Sequence, residues 1–457
     1  MRGGRPGGDT HPQEEKVVRD PARQAGKPRW SLPRRILVLL WALATASPAG
    51  AADEIHWTLT GQTSVTFDWR GTSADWGDNT LRYGLAPGTY TTTVTAVPPS
   101  PYPDSSAGPF WEARLTGLQE DTLYYYQIAN EPEATFRTSP PRGSADFWMA
   151  EEADIGSTLA YPLVGPTQSQ IAADNPNIPG DDRPRFVLVP GDLTYGDDKG
   201  TDDVDQHFND VMVWSRWAAY MPAWGNHEWD DPTDPTIEVD DMQNYEGRFD
   251  FPNSQTPPNA PARGGPGEDW YWFDYGNVRF IAYPEPYTGA WSDWKTKVDP
   301  IMAAAQGDPK ITFIVTFGHR PPYSSGLDHP GSLTLAGHMR GLHNKYRKYV
   351  LNLAAHSHHY ERSDPSQTDG IVHIVGAGGG ATLGSLSSPQ PGWSAYRINH
   401  LAHLKLHFTA NKIEGFVVCG PAGGGNTDTC TQDTVIDTWS INETTPPAPS
   451  QNLRIGK

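Results

Sequence analysis

The sequence has few cysteines, few basic residues relative to acidic ones, and no apolar run of membrane-spanning length. Two cysteines among 457 residues allow one disulfide at most. The apolar run at positions 36–46 is far shorter than the roughly 20 residues that a helix needs to cross a bilayer, so we expect no stable membrane span. Neither a GxSxG motif nor a phosphate-cradling P-loop is present, which excludes these two signatures of hydrolytic enzymes.

Positive charge is scarce, because 35 Lys and Arg residues stand against 54 Asp and Glu residues. Residues 1–52 hold 9 of the basic and 4 of the acidic residues, so the remainder has 26 basic and 50 acidic residues and a formal net charge of −24. Affinity for nucleic acid comes largely from Lys and Arg, and this balance argues against a nucleic-acid scaffold role. An anionic substrate would need a local positive centre.

Residues 1–52 have the pattern of a leader that ends in a signal peptide. A basic stretch closing with Arg34 and Arg35 meets the short apolar run, and small residues follow at positions 49–52. We therefore expect an exported protein, secreted or periplasmic. The stretch PRRIL is a loose twin-arginine match, and the export route stays open.

Aromatic residues are abundant, which gives the chain ample apolar surface for a folded core. In residues 53–140, short β-rich runs alternate with Gly, Pro and Asp clusters, and this predicts a small β-sandwich. The runs are SVTFDW, LRYG, FWEARL, LYYYQI and ATFRT. The segment around Tyr124 resembles the tyrosine corner of fibronectin type III domains. The stretch from Ser139 to Gly143 predicts a hinge.

In residues 144–442, apolar β-runs alternate with helical patterns, which predicts a layered α/β domain. Apolar residues at helical spacing predict covering helices from Asp203 to Trp217 and from Leu335 to Tyr346. Residues 443–457 read as a Pro-rich linker. Part of it, PAPSQNLRI, resembles the first strand of another fibronectin type III module.

Five apolar runs of the α/β domain end in polar residues of metal-binding type. Ligands gather at the carboxyl ends of strands in open α/β sheets, so these side chains can meet although they are far apart in sequence. The candidates are Asp154, Asp192, Asn226, His319, His356 and His358. Any one of them alone would be more simply read as a turn or a structural residue.

The ligand types are hard or borderline, since they comprise carboxylate, phenol, amide oxygen and imidazole without thiolate. Such a set suits iron, zinc or manganese. A pair of these ions can activate water and hold a phosphate in line for displacement, which makes phosphoester hydrolysis the favoured reaction. A carboxylate that bridges the two ions fits Asp192.

Five motifs carry a resemblance to a known family. They are DIG at 154–156, GDLTY at 191–195, GNHE at 225–228, FGH at 317–319 and AHSH at 355–358. In this order they resemble the five motifs of purple acid phosphatases, whose large members also carry a fibronectin-like domain before the catalytic one. The resemblance implies the fold of calcineurin-like phosphoesterases, a four-layer α/β/β/α sandwich. Gly156 and Tyr195 distinguish this group from other metallophosphoesterases.

The resemblance also implies two metal sites, one for Fe(III) and one for a divalent Fe, Zn or Mn ion. The trivalent ion would be held by Asp154, Asp192, Tyr195 and His358, and the divalent ion by Asp192, Asn226, His319 and His356. Zinc or manganese in both positions stays open. Counting the ions, their charged ligands and one hydroxide leaves a net charge of about +1 toward the substrate, which would let an acidic protein bind phosphate.

By the same resemblance, His227 and His329 are the catalytic candidates, as phosphate contacts or proton donors to the leaving group. Asp328 stands where many plant members have a second histidine, which leaves the identity of the proton donor open. The remaining histidines are better read as structural or solvated, at positions 338, 343, 359, 373, 400, 403 and 407. Cys419 and Cys430, with ten residues between them, are expected to form a disulfide in an exported chain.

The sequence thus predicts an acid phosphatase-type hydrolase that cleaves small phosphate monoesters by attack of metal-bound hydroxide, without a covalent phosphoenzyme. A phosphodiesterase or nucleotidase activity at the same site is the first alternative. The second is a secreted binding protein with an inactive site. Retention of every ligand type argues against the second alternative.

Overall fold

The computed structural model describes residues 52–72, 79–174, 184–228, 242–255, 269–285, 290–376, 378–425 and 428–443. The predicted leader, apart from residue 52, and the predicted linker, apart from residue 443, lie outside these ranges. Within the described ranges, no helix combines the length and apolarity required to pass through a bilayer.

The N-terminal part forms two antiparallel sheets that face each other. The first contains β1 (Ala52–Gly61), β2 (Ser64–Gly71) and β5 (Phe110–Leu115), in the order β1-β2-β5. The second contains β3 (Thr80–Gly84), β4 (Thr92–Thr95), β6 (Leu123–Ile128) and β7 (Ala134–Arg137), in the order β4-β3-β6-β7. Phe67 from the first sheet packs against Tyr126 and Phe136 from the second, at ring distances of 4.6 and 5.3 Å. This is the sandwich that the alternating pattern predicts.

The tyrosine corner is present in this sandwich. The backbone N–H of Gln119 donates to the hydroxyl of Tyr124 over 2.9 Å, which fixes the turn before β6. The predicted hinge is held from several sides, since Arg142 pairs with Asp274 and Asp308 at 2.7 Å and Gly143 N–H donates to the carbonyl of Gly276. These contacts restrain the segment that joins the sandwich to the rest of the chain.

The α/β part contains two mixed sheets. One has the order β10-β9-β8-β18-β19-β20. Its strands are β8 (Phe147–Glu151), β9 (Pro184–Val189), β10 (Ala219–Pro222), β18 (Ala402–Phe408), β19 (Lys412–Cys419) and β20 (Val435–Asn442). Strands β8, β9 and β10 are parallel to one another, and β18 to β20 continue the sheet in antiparallel pairing.

The other sheet has the order β11-β12-β13-β14-β16-β15-β17. Its strands are β11 (Trp272–Tyr275), β12 (Val278–Ala282), β13 (Phe313–Phe317), β14 (Tyr349–Ala354), β15 (Tyr360–Ser363), β16 (Val372–Val375) and β17 (Ser394–Ile398). Strands β12, β13, β14 and β16 run parallel. The two sheets meet through aromatic side chains, with Phe186 of β9 5.4 Å from Phe280 of β12, and Phe280 5.7 Å from Phe408 of β18.

Helices cover the outer faces of both sheets. They are α1 (Val164–Asp174), α2 (Gly196–Lys199), α3 (Thr201–Ser215), α4 (Gln243–Glu246), α5 (Ala290–Gly307) and α6 (Leu333–Lys345). Helices α3 and α6 are the two that the apolar periodicity predicts. Trp214 of α3 donates to Gln168 of α1 on the side of the first sheet. Trp294 of α5 donates to the carbonyl of Ala282 in β12. The layers are therefore α/β/β/α, the predicted fold class.

Candidate metal centre

The candidate ligands follow the carboxyl ends of parallel strands in both sheets. Strands β8, β9 and β10 of the first sheet lead to Asp154, Asp192 and Asn226. Strand β13 of the second sheet leads to His319, and β14 leads to His356 and His358. Because the two sheets pack face to face, their carboxyl ends meet at one rim, and the six side chains converge there.

Four of these residues have a left-handed backbone. The φ angles are 53° at Asp154, 49° at Asp192, 71° at His356 and 50° at His358. A non-glycine residue pays a conformational penalty in this region, and such residues persist where the surroundings fix them. Here the left-handed residues lie two to four positions after the strand ends, in the loops that carry the ligands to the shared rim.

Three predicted ligands of the divalent ion form one compact group. His319 Nε2 lies 3.2 Å from Asp192 Oδ2 and 3.0 Å from His356 Nδ1. Asn226 Oδ1 lies 3.1 Å from the same His319 nitrogen. Ligand atoms of Asp192, His319 and His356 all fall within 4.8 Å of one another, which is close enough for a single ion.

A second group shares Asp192 with the first. It joins Asp154, Asp192 and His358, whose ligand atoms also lie within 4.8 Å of one another. The hydroxyl of Tyr195 is 3.3 Å from His358 Nε2, and His358 Nε2 is 3.7 Å from Asp154 Oδ1. The shared carboxylate gives Asp192 the position that a bridging ligand requires.

The donor atoms of these groups fit two cations. Asp154 Oδ2 is buried and has no hydrogen-bond partner among the described residues. Such an orphaned carboxylate oxygen is unfavourable unless a cation contacts it. Burial raises the pKa of Tyr195 well above its usual range, with Asp192 and Asp154 adding to the effect. Its phenol would therefore ionise only against a strong positive charge.

A buried carboxylate that the sequence did not single out holds two of the ligand loops, those after β9 and β10. Glu228 accepts backbone N–H groups from Asp192, Leu193 and Gly225 at 2.8–2.9 Å, and from Thr194 at 3.2 Å. Burial raises the pKa of Glu228 to about 8, and the N–H donors act against that rise. Its position at the end of the GNHE motif could have indicated a role for Glu228, but the sequence does not show which backbone groups it binds.

The catalytic candidates lie on two sides of the centre. The ring of His227 packs against that of Tyr195 at 4.3 Å in a tilted arrangement, and its Nδ1 is 2.8 Å from Asp197 Oδ1. Burial lowers the pKa of His227, but Asp197 and Asp192 outweigh it and raise the value to about 9. His329 packs 4.1 Å from the ring of His356. Burial, together with His358, lowers the pKa of His329.

Gly156 makes room for the tyrosine of the site. Its φ angle is 75°, and a Cβ there would lie 2.5 Å from Tyr161 Cδ2 and 3.1 Å from Tyr195 Cδ2. A side chain at this position would displace one of the two rings. The pairing of Gly156 with Tyr195 in the sequence therefore has a steric basis.

The structure joins Cys419 and Cys430 in a disulfide, and places most of the remaining histidines in structural contacts. His343 bonds to the carbonyl of Tyr349, and His359 to that of Ser357. Residues 229–241, 256–268 and 286–289 lie outside the described residues.

Comparison with known proteins agrees with this architecture. Residues 52–142 match the family model "Purple acid Phosphatase, N-terminal domain", and residues 168–360 match "Calcineurin-like phosphoesterase". An uncharacterized protein of Mycobacterium tuberculosis is 28% identical over 61% of this chain, and the match covers 60% of that relative's length. Human acid phosphatase type 7 is 23% identical over 81% of this chain and 89% of its own length.

A solved structure of a purple acid phosphatase from yellow lupin seeds shares the fold. It superposes with a TM-score of 0.64 over 86% of this chain and 74% of its own length, at 19% identity. The matched N-terminal and catalytic domains, in this order and on this fold, identify the chain as a purple acid phosphatase-like metallophosphoesterase.

Proposed function

We propose that the protein is an exported acid phosphatase-type hydrolase that cleaves phosphate monoesters at a dinuclear centre. The observation that carries the proposal is that Asp192 belongs to both ligand groups, so that two ions would share one carboxylate. The predicted domain limits, 53–140 and 144–442, and the predicted roles of the site residues are part of this proposal.

The proposed metal pair is Fe(III) with a divalent Fe, Zn or Mn ion. Asp154, Tyr195 and His358 would complete the first site, and Asn226, His319 and His356 the second. When bound, such a pair neutralises phosphate charge and makes water acidic enough to serve as a nucleophile near neutral pH. A phenolate ligand from Tyr195 would favour the trivalent ion on its side of the centre.

The protein's own groups would orient the substrate. His227 has its Nδ1 fixed by Asp197, and its Nε2, 3.9 Å from Asp192 Oδ2, faces the centre. Asp197 and Asp192 raise the pKa of His227 to about 9 against the effect of burial, and the protonated ring would donate from Nε2–H to a phosphate oxygen. We expect His329, whose ring lies 4.1 Å from that of His356, to give a proton to the leaving oxygen.

Export is supported by the disulfide between Cys419 and Cys430, because disulfides persist mainly in oxidising compartments. Two alternatives rest on relatives. A barley relative, 26% identical over 48% of this chain, is a nucleotide pyrophosphatase/phosphodiesterase. An Arabidopsis relative, 26% identical over 48% of this chain, is a probable inactive purple acid phosphatase.

The test is metal analysis of the purified protein, with a visible absorption spectrum and hydrolysis of p-nitrophenyl phosphate from pH 4 to 9. We expect iron with a divalent metal, a phenolate-to-iron band, and monoester hydrolysis. Tyr195→Phe should abolish the band, whereas Tyr161→Phe, which changes the neighbouring ring 5.1 Å away, should retain it. Two metals without a band would contradict the iron assignment, and absence of both metal and activity would favour a binding protein.

A further inference from the structure

The ring of the candidate ligand His358 is oriented by the loop between β16 and β17. Its Nδ1 lies 2.6 Å from the carbonyl oxygen of Thr382. A carbonyl oxygen only accepts hydrogen bonds, so Nδ1 carries the proton of the neutral ring and donates to Thr382. The lone pair then remains on Nε2, the nitrogen that faces Tyr195 Oη at 3.3 Å and Asp154 Oδ1 at 3.7 Å. Thr382 therefore selects the tautomer in which Nε2 can bind a cation.

The two residues after Thr382 connect this ligand to the C-terminal part of the chain. Gly384 N–H donates to the carbonyl of His358 over 3.1 Å. Leu383 N–H donates to the carbonyl of Gly424, also over 3.1 Å. Gly424 lies in the segment that the disulfide closes, the disulfide loop, whose described residues are 419–425 and 428–430. The loop that fixes the ligand ring is therefore tied to the disulfide loop.

Asn399 makes a second connection between the same two loops. This residue, between β17 and β18, is 2% exposed, and its Nδ2 donates to the carbonyl of Gly384 over 2.6 Å. Its backbone N–H donates to Asp428 Oδ2 over 2.8 Å, and Asp428 N–H donates back to the carbonyl of Asn399 over 3.3 Å. Asp428 is two positions before Cys430, so the disulfide restrains the residue that holds Asn399.

We propose that Asn399 and the disulfide loop position His358 for binding a metal ion, so that the ion on this side is held at full strength only when the disulfide is formed. The proposal rests on the dinuclear centre proposed above. Without its carbonyl partner, the ligand ring can rotate or take the other tautomer, in which Nε2 carries the proton and cannot bind a cation. Asn399 is thus a positioning residue, which acts through the loop that carries Thr382.

The proposal predicts an effect on one ion only. Asn226, His319 and His356, which are assigned to the other ion alone, take no part in these hydrogen bonds. We therefore expect weaker binding of the ion on the His358 side and unchanged binding of the other ion. A general loss of stability would instead weaken the binding of both.

Asp428→Ala is the most informative variant, because Asp428 is exposed and its replacement should not prevent folding. Asp428→Asn keeps an oxygen acceptor for the N–H of Asn399 and is the conservative change. Thr429→Ala, at the next exposed position, is the matched control, since its side chain makes no hydrogen bond within the described part of the chain. Asn399→Ala removes the link to the ligand loop, and C419S/C430S opens the disulfide loop.

The measurement is metal content per chain at increasing concentrations of a chelator. We expect the ion on the His358 side to bind at least about tenfold more weakly in Asp428→Ala, Asn399→Ala and C419S/C430S than in wild type, as for other partners of metal ligands. Asp428→Asn and Thr429→Ala should bind it as wild type does. Where this ion is iron, loss of the phenolate band of Tyr195 identifies it. Equal weakening of both ions, or wild-type binding in Asp428→Ala, would overturn the proposal.

Hydrogen exchange separates this proposal from the dinuclear centre on which it rests. In the metal-free protein, the amide of Gly384, which donates to His358, should exchange at least about tenfold faster in Asp428→Ala than in Thr429→Ala. If wild type binds no metal ion, the proposed centre fails, and this difference still decides whether the disulfide loop holds the ligand loop. Equal exchange in the two variants would refute that role.

Discussion

At the scale of single residues, the metal centre depends on close backbone approach as much as on the ligands. Gly191 and Gly225 bring the loops after β9 and β10 together. A Cβ on Gly191 would lie 2.8 Å from His319 Cβ, and one on Gly225 would collide with the carboxylate of Asp192. The ligand loops can meet only because these two positions have no side chain.

Gly225→Ala should therefore remove metal without unfolding the protein. The added methyl group pushes against Asp192, the carboxylate shared by both groups, so we expect loss of both ions from the purified variant by elemental analysis. Gly337→Ala is the matched control, because a Cβ in this exposed helical position meets nothing within 4 Å. The control should keep its metals and gain up to about 1 kcal/mol in stability. Full metal occupancy in Gly225→Ala would contradict the steric argument.

The sequence predicts the metal ligands but not the residues that support them. Each motif ligand combines a metal-binding side chain with a position just after a strand, and this pattern predicts its role. The sequence alone does not predict the roles of their supporting partners, which are Glu228, Asp197 and Arg320. Each acts through a contact made across 30 or more positions, and nothing in local spacing identifies such contacts.

At the scale of elements, helix α3 links the first sheet to the loop of Gly156. His207 on this helix is fully buried, with Nδ1 2.9 Å from the carbonyl of Gly156 and Nε2 3.0 Å from the hydroxyl of Tyr220. A neutral ring satisfies both, because Nδ1–H donates to the carbonyl and Nε2 accepts from the hydroxyl. Burial lowers the pKa of His207 to about 3.

This depressed pKa makes stability depend on pH. The folded state keeps His207 neutral, while the unfolded chain takes up a proton below about pH 6.5, so stability should fall as the pH drops from 6.5 toward 3. We expect His207→Gln, which can donate to Gly156 and accept from Tyr220, to reduce this slope by about 1 kcal/mol per pH unit. Urea unfolding of both proteins with a chelator present measures the difference. Identical slopes would show that His207 is not a source of the acid sensitivity.

Elements with a clear period and strands that are continuous apolar runs were mostly predicted, and several other elements were missed. Strands β2, β3, β5, β6 and β7 and helices α3 and α6 follow from apolar alternation or helical spacing. Helix α5 was missed because Pro300 and polar residues interrupt its pattern, although Trp294, Val298, Met302 and Ala305 are buried on one face. The C-terminal strands β17 to β20 were also not predicted, although β19 alternates buried and half-buried residues along its whole length.

At the scale of the whole molecule, a buried arginine fastens the sandwich to the catalytic part. Arg248 is 2% exposed and pairs with Glu54 of β1 at 3.0 Å and with Asp205 of α3 at 2.7 Å. Its Nη2 also donates to Ser105 Oγ at 2.9 Å. His56 of β1 stacks on Phe208 of α3 at 4.9 Å beside this cluster. The two parts therefore share a buried polar network and an aromatic contact.

Arg248→Met should destabilise the protein by about 3 kcal/mol, because the buried carboxylates of Glu54 and Asp205 would then keep only the partly exposed Arg70 as an arginine partner. Arg114→Met is the control, since Arg114 is 61% exposed and its loss should change stability by about 1 kcal/mol or less. Thermal unfolding of both variants, followed by intrinsic fluorescence, gives the comparison. A Tm shift in Arg248→Met no larger than in the control would show that the network contributes little.

Because the ligands are divided between the two sheets, the metal centre can be completed only late in the synthesis of the chain. Asp154 accepts a hydrogen bond from the backbone of His356, which is translated 202 positions later. Strands β8, β9 and β10, which lead to the two aspartates and Asn226, are translated long before the histidines of the second sheet and before β18 to β20, which complete the first sheet. Such distant pairings close slowly, so metal loading should be a late event that reports complete folding of the chain.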